Sequence, residues 1–264
     1  MSIIYINPFQ FAAPAGGYDT DAQAYITAVE AADGQSLETA VKDAINAFFV
    51  GCKTDGNFSA LKAACILAGA RTRTGALVPL LSSMPAPTSF NFLDADYDRK
   101  TGLKGDGSTK YLDSNRANNA DPQDSQHLAV YETTSGSNDG ARIGALGNIG
   151  IASQFNFIDR FSVWRFASRG ATANGGGSIA APFFGLSRST STTFSIRIDG
   201  TTTSIGGSSS ATTITGNYFI FNRTGGNFYS DARLSFYSIG ESLDLSLLDA
   251  RLSTLMSALA AAIP

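Results

Sequence analysis

Few residues in this 264-residue chain are able to do chemistry, and their spacing limits what they do. The single histidine, His127, lies in the strand-like run His127-Leu-Ala-Val-Tyr131. A Ser-His-Asp hydrolase would have to use it as its base, yet no Gly-x-Ser-x-Gly elbow accompanies it, so His127 is assigned to structure. Asp94, Asp96 and Asp98 stand at alternate positions, as carboxylates do when they converge on a hard cation. The calcium loop then fails, because Arg99 takes the place of the required glycine and Gly105 that of the bidentate glutamate. These aspartates read as a solvated turn before a strand. Cys52 and Cys65 fall in one helical stretch; two cysteines make neither a disulfide framework nor four zinc ligands, and they read as small buried thiols. Gly105-Asp-Gly107 and Gly144-Ala-Leu-Gly147 lack the lysine-serine pair of a phosphate loop and the context of a dinucleotide site, and read as turns. Asn57-Phe-Ser59 and Asn222-Arg-Thr224 match a glycosylation acceptor, which means little without a secretory signal. The sequence therefore predicts no catalytic residue, no metal and no cofactor.

The elements that carry these residues follow from composition and periodicity. Nineteen basic residues against 22 acidic leave a net charge of −3. That balance excludes nucleic acid as a partner read from bulk charge, since neutralising phosphates needs a surplus of Lys and Arg. Hydrophobic residues at 43% suffice for a real core, and 27 glycines favour turns and short strands over long helices. The opening Met-Ser-Ile-Ile-Tyr-Ile-Asn-Pro has no early cation and no long apolar run, so no cleaved leader is expected. The longest apolar stretch, Leu243 to Ile263, carries Asp244, Asp249 and Arg251; a soluble chain with no membrane span is expected.

All six lysines lie at or before Lys110, and the pattern changes along with the composition. Asp19 and Asp21 offer caps to a helix with Ala22, Tyr25, Ile26 and Val29 on one side, stopped at Gly34. Ser36 is expected to cap a second, striped by Leu37, Val41, Ile45, Phe48 and Phe49 and ending at Gly51. A third helix is expected from Phe58 to Leu67. Pro79, Pro85 and Pro87 then end the helical part, giving a division into 1–87 and 88–264. Beyond them the period becomes two: His127–Tyr131, Phe161–Phe166, Phe194–Ile198, Tyr218–Phe221 and Leu234–Ile239 read as strands, with a tight turn at Asp199-Gly200 and a loop or an edge strand at Ser208–Thr213. Phe194, Ile196 and Ile198 take a buried face, Ser195 and Arg197 a wet one. A final helix over 242–263, capped by Ser242, carries Leu245, Leu248, Leu252, Leu255 and Leu259 and is expected to lie on its own domain. The predicted class is α+β, mainly β: short N-terminal helices, an antiparallel β-sandwich and a C-terminal helix.

Two resemblances follow from particular runs. Asp199-Gly200, the aromatic Tyr218-Phe-Ile-Phe221, the Gly-rich turn after it, Arg233-Leu-Ser-Phe-Tyr-Ser-Ile-Gly240 and the helix beginning near Ser242-Leu resemble the last strands of the concanavalin A-like lectin/glucanase jelly roll, the laminin-G-like family. Gly102-Leu-Lys-Gly-Asp-Gly-Ser-Thr-Lys-Tyr-Leu-Asp113 resembles its opening strand. The helical segment Tyr18 to Gly69, the run Arg99-Lys-Thr-Gly-Leu-Lys-Gly-Asp-Gly107 and Tyr237-Ser-Ile-Gly-Glu-Ser-Leu-Asp244 are similar to stretches in virion proteins of tailed bacteriophages, over nearly the whole chain.

The second resemblance implies a structural virion component, a capsid decoration or tail protein assembled in the host cytoplasm, homo-oligomeric and in contact with other virion proteins. Its helices, with apolar stripes needing cover, are expected to dock onto such partners. The first implies a lectin-like sandwich, with a host cell-surface polysaccharide as the alternative partner. The glucanase branch carries a Glu-x-Asp-x-x-Glu run that supplies acid and nucleophile. This chain has none: Glu132 and Glu241 stand without a carboxylate two residues on, so no enzyme is expected. For stacking on a glycan, Trp164 is assigned to the core, while Tyr229, beside Asn227 and Asp231 in a Gly-rich loop, is the exposed candidate.

Overall fold

The computed structural model describes residues 17–146, 155–175, 181–223 and 227–264. Helix α1 (Thr20–Asp33) starts where the Asp19 carboxylate accepts from the N–H groups of Asp21 and Ala22, and ends at Gly34 with φ of 68°. Helix α2 (Thr39–Thr54) runs three residues past Gly51. Its N-cap is Glu38 rather than Ser36, and the Glu38 side chain instead forks with Arg99 at 2.8 and 3.2 Å.

The expected third helix is a correction. Phe58–Ala60 make one 3₁₀ turn, and Leu61–Ile66 form strand β1. An apolar run buried on both faces has no period of its own, so the sequence does not separate strand from helix here. Cys65 thus sits in a strand and Cys52 in α2, both buried as expected, and neither bonded to the other.

Among the described residues two antiparallel sheets stack. The first runs β13 (Thr201–Ile205), β12 (Phe194–Ile198), β11 (Phe183–Arg188), β6 (Gln126–Thr134), β15 (Arg233–Gly240), β4 (Gly102–Lys104) and β3 (Tyr97–Asp98). Along β15, β4 pairs with Arg233 and Leu234, and β1 takes over the same edge from Phe236 to Gly240. The second sheet runs β10 (Ala171–Gly175), β9 (Val163–Ser168), β8 (Phe155–Phe161), β7 (Ala141–Leu146), β14 (Asn217–Ile220), β5 (Tyr111–Ala117) and β2 (Thr88–Phe90). Gly144 to Leu146 are therefore strand, not the expected turn. The run Phe161–Phe166 is two strands, folded back at Ser162 with φ of 60°. Asp199 and Gly200, at φ of 52° and 70°, close the β12–β13 hairpin as their sequence requires.

Alternation along the central strands sorts side chains between two cores. Leu128 and Val130 of β6, Phe184 and Leu186 of β11, and Tyr237 and Ile239 of β15 point between the sheets. Ala129, Tyr131, Phe183 and Phe236 point the other way, against the helices. There α4 (Leu245–Ala262) buries Leu245, Leu248, Leu252, Leu255 and Leu259, and the Phe48 ring meets Phe236 at 5.9 Å between centroids. Each such buried leucine or phenylalanine contributes roughly 1.5–3 kcal/mol. The helical stripes expected to need another protein are covered by this chain's own sheet and by α4. The cap of α4 is Asp244, not Ser242; the Ser242 hydroxyl faces Ser125 at 3.2 Å. Leu245–Ala262 is long and apolar enough by composition to cross a membrane, and here its apolar face is the packed one. Arg197, expected on a wet face, reaches across to Asp249 of α4 at 2.8 Å.

Candidate functional site

The single histidine is held away from solvent with both ring nitrogens engaged. His127 is fully buried in β6; the carbonyl of Glu241 accepts from Nδ1 at 2.6 Å, so Nε2 of the neutral ring accepts from the Ser238 hydroxyl at 2.9 Å. Burial lowers its pKa to about 4. The three alternate aspartates do not converge. Asp94 pairs with Arg73 at 3.0 Å, Asp96 with Lys110 at 2.6 Å, and Asp98 accepts from the N–H groups of Lys100 and Thr101. Among the described residues no group of three or more His, Cys, Asp or Glu side chains is placed to hold a metal ion. The side chains of Asn57 and Asn222 are buried and hydrogen-bonded, so neither offers a glycosylation acceptor.

Of the three residues singled out for glycan contact, Asp231 is committed to structure. Its carboxylate accepts from the Ser137 N–H at 3.0 Å, the Ser137 hydroxyl at 2.5 Å and the Asn138 N–H at 3.2 Å. Burial raises its pKa, and these hydrogen bonds outweigh that, leaving it below the usual carboxylate range. Asn227 is exposed, and the half-buried Tyr229 ring lies 6.2 Å from Tyr111. Trp164 faces between the sheets as expected, stacked on Phe184 at 3.7 Å.

Tyr229 leads to the feature that sequence reasoning missed. The outer face of the first sheet is covered by helices, while that of the second carries rings and guanidinium groups from five strands and the chain after β14. One cross-strand row reads Phe157 (β8), Gly144 (β7), Phe219 (β14), Asp113 (β5) and Thr88 (β2). Gly144 is small of necessity: a Cβ there would lie 2.6 Å from the Phe157 Cβ and 3.1 Å from the Arg223 Cβ. On one side of it Phe219, Tyr111 and Phe90 follow one another, with centroids 4.8 and 4.4 Å apart. On the other side Arg165 lies over Phe157 and Phe161 at 5.6 and 5.0 Å, and Arg223 over Phe157 and Phe228 at 4.7 and 3.7 Å.

The charges on this face are ordered by one carboxylate. Asp159, only 1% exposed in its side chain, accepts from Arg165 Nε and Nη2, both at 2.8 Å, and lies 3.4 Å from Arg223 Nη1. Phe161 and Val163, at the tip of the β8–β9 hairpin, are 53% and 49% exposed. The alternation in Phe157-Ile-Asp-Arg-Phe161 and Val163-Trp-Arg165 is the sequence signal that would have found half of this surface. Single apolar residues on a surface mean little, but a contiguous aromatic face with fixed polar groups is what ligand sites offer.

The end of the sandwich near the β9–β10 turn has a different character. The buried Arg169 donates to the backbone of Asn118, Asp121, Pro122 and Gln123, and the buried Arg188 to that of Ser168, Thr190 and Ser208. These two arginines tie loops together. A shallow groove of about 470 Å³, lined by Arg169, Thr172, Ser208 and Ser209 among others, lies beside them. It offers no ring to stack on.

No protein-family model and no curated protein sequence matches this chain. Its structure is similar to a Trypanosoma rangeli sialidase, with a TM-score of 0.47 and 11% identity, covering 75% of this chain and 33% of that one. It is similar to the binding domain of botulinum neurotoxin serotype D, with a TM-score of 0.47 and 10% identity over 77% of this chain and 52% of that one. The chain thus spans less than two thirds of either. Domain 4 of AbnA, a GH43 extracellular arabinanase from Geobacillus stearothermophilus solved in complex with arabinotriose, has a TM-score of 0.42 and 13% identity over 72% of this chain and 97% of that one.

Proposed function

We propose that this chain is a non-enzymatic, glycan-binding protein of the lectin-like sandwich class, and that the saccharide lies on the open face of the second sheet. The observation that carries this is the row Phe157–Gly144–Phe219, which joins two sets of rings across a floor kept low by a glycine. Ring faces bury the apolar side of a sugar, and the fixed polar groups of Asp113, Arg165 and Arg223 orient its hydroxyls. Tyr229 and Asn227 border that face, while Asp231 supports the loop behind it.

Binding without turnover is supported by the engaged state of the acid and base candidates. His127 has both nitrogens occupied, and Glu132 and Asp159 are ion-paired. Titration against an oligosaccharide array is expected to show binding that Phe161→Ala and Tyr111→Ala each weaken without loss of fold. Incubation with those binders is expected to release no reducing ends. Loss of neither affinity on these substitutions removes the proposed face.

A second reading concerns where the protein works. The runs Arg99 to Gly107 and Tyr237 to Asp244 support a component of a tailed-phage particle, homo-oligomeric and displaying the sandwich toward the host polysaccharide. Mass spectrometry of purified particles is expected to find the chain, and repeated failure to detect it removes this reading.

A further inference from the structure

We infer that the saccharide bound on the open face is an acidic one, whose anionic group is met by Arg165 and Arg223. This rests on the reading of that face as a glycan site and specifies what the glycan carries.

Two guanidinium groups there share one carboxylate. Arg165 takes both oxygens of Asp159 at 2.8 Å, which leaves Arg223 a single contact at 3.4 Å. The Arg223 Nε is buried and donates to nothing. A buried donor without an acceptor costs about 1–3 kcal/mol, more when charged, so this group is held at a cost that a ligand can recover. Burial lowers the Arg223 pKa from its ordinary value; the Asp159 charge opposes that shift, and the neighbouring Arg165 adds to it. The positive charge is under-compensated where it stands.

The exposure of the three groups gives the sign that a ligand meets. The Asp159 side chain is 1% exposed and that of Arg223 is 9% exposed, whereas that of Arg165 is 31% exposed. The carboxylate lies beneath and the guanidinium above, with Phe161 beside it. Asp113, the carboxylate in the Gly144 row, is beyond Phe219 and is engaged by the Asn115 N–H at 2.8 Å and the Asn217 amide at 3.2 Å, and the exposed Asp139 accepts from the Ser162 N–H at 2.9 Å at the β8–β9 tip. An anion arriving beside the exposed Phe161 therefore meets the Arg165 guanidinium first, with the largely covered Arg223 and the buried Phe157 ring behind it, and Arg165 offers the planar fork suited to bidentate carboxylate or sulfate recognition. The chain's net charge of −3 argues against a polyanionic nucleic acid as the occupant.

The full chain is tested on an array of neutral, uronic-acid-containing and sulfated oligosaccharides, with the strongest acidic binder then titrated beside a neutral sugar of the same backbone. The acidic member is expected to bind about tenfold tighter or better, the ratio one charge-assisted contact gives. Arg165→Gln and salt at about 0.5 M are expected to bring the ratio toward one, with Arg165→Lys retaining part of it. Phe161→Ala is expected to weaken both sugars alike. Side-chain NMR of the Arg223 Nε–H is expected to shift with the acidic sugar alone, and this requires no variant. Neutral sugars binding as tightly, with Arg165→Gln unchanged, overturn the acidic assignment and leave the glycan reading standing. An array without any binder overturns both. A single-stranded oligonucleotide that displaces the acidic sugar and outbinds it overturns the assignment in favour of nucleic acid.

Discussion

The Glu132 carboxylate and the Arg142 guanidinium meet at 2.6 Å between the two sheets, both shielded from water, and each keeps one atom without a partner. Glu132 Oε1 and Arg142 Nη2 are those atoms, and the Arg142 guanidinium also lies 5.0 Å from the Trp164 ring. The pair joins β6 of one sheet to β7 of the other at a place where apolar side chains would pack as well. Breaking such a pair leaves a lone charge in low dielectric, while removing both members does not.

Glu132→Leu alone is therefore expected to destabilise the chain by about 3–5 kcal/mol, whereas Glu132→Leu with Arg142→Met is expected to return it close to the parent or above. Urea unfolding followed by the fluorescence of Trp164, the only tryptophan, gives both numbers at once. Equal destabilisation by the single and the double variant would show that the pair does more than compensate its own burial.

His127 gives a pH dependence with a definite sign. Its folded pKa of about 4 lies below the unfolded value of 6.5, so the unfolded chain binds the proton first. The contribution is fully present above about pH 6.5 and is lost as pH falls toward 4, to the extent of about 3 kcal/mol at 1.36 kcal/mol per unit. His127→Gln is expected to flatten stability in that window. An unchanged slope in denaturation midpoints between pH 6.5 and 4 would show that the ring is not held neutral.

The strands whose alternation was plain in the sequence, β12 and β15, formed where expected, because a half-buried strand writes its own period. Leu61–Ile66 did not, since β1 lies between two cores and every position but Lys62 is buried. Nor was the helix layer legible as a partner of the sheet: the residues that receive it, Ala129, Tyr131, Phe183 and Phe236, alternate with equally apolar residues facing the other core. The open face was half legible. Phe157, Asp159 and Phe161 share one parity, but their meeting with Gly144, Phe219 and Arg223 depends on strand order. The three arginines at full burial, Arg142, Arg169 and Arg188, carry no local signal, because a surface arginine reads the same.

The shared core makes the two parts of the chain interdependent. A fragment of residues 88–264 lacks β1 along β15 and leaves Phe236, Tyr131 and Phe183 without the Phe48 layer. It is expected to aggregate or to lose cooperative unfolding, and adding residues 17–87 in trans is expected to recover part of it. A soluble fragment with a sharp melting transition would show that the sandwich stands without its helical cover. Within the whole chain, Phe236→Ala is expected to cost about 3–5 kcal/mol.

Gly144 separates fold from site. A Cβ there meets the Cβ atoms of Phe157 and Arg223, which are fixed to the backbone, so both residues must move rather than turn. Gly144→Ala is expected to cost about 1–3 kcal/mol by overpacking. It should weaken saccharide binding more than that loss of stability accounts for, because the displaced groups are the ones that form the face. Gly206 is the control: nothing lies within 4 Å of its would-be Cβ, and Gly206→Ala is expected to stay within about 0.5 kcal/mol of the parent. Calorimetric titration of both variants with the same sugar, beside their thermal melts, distinguishes the outcomes. If Gly144→Ala lowers the melting temperature yet binds as the parent does, the saccharide lies elsewhere, and the groove beside Arg169 becomes the place to look.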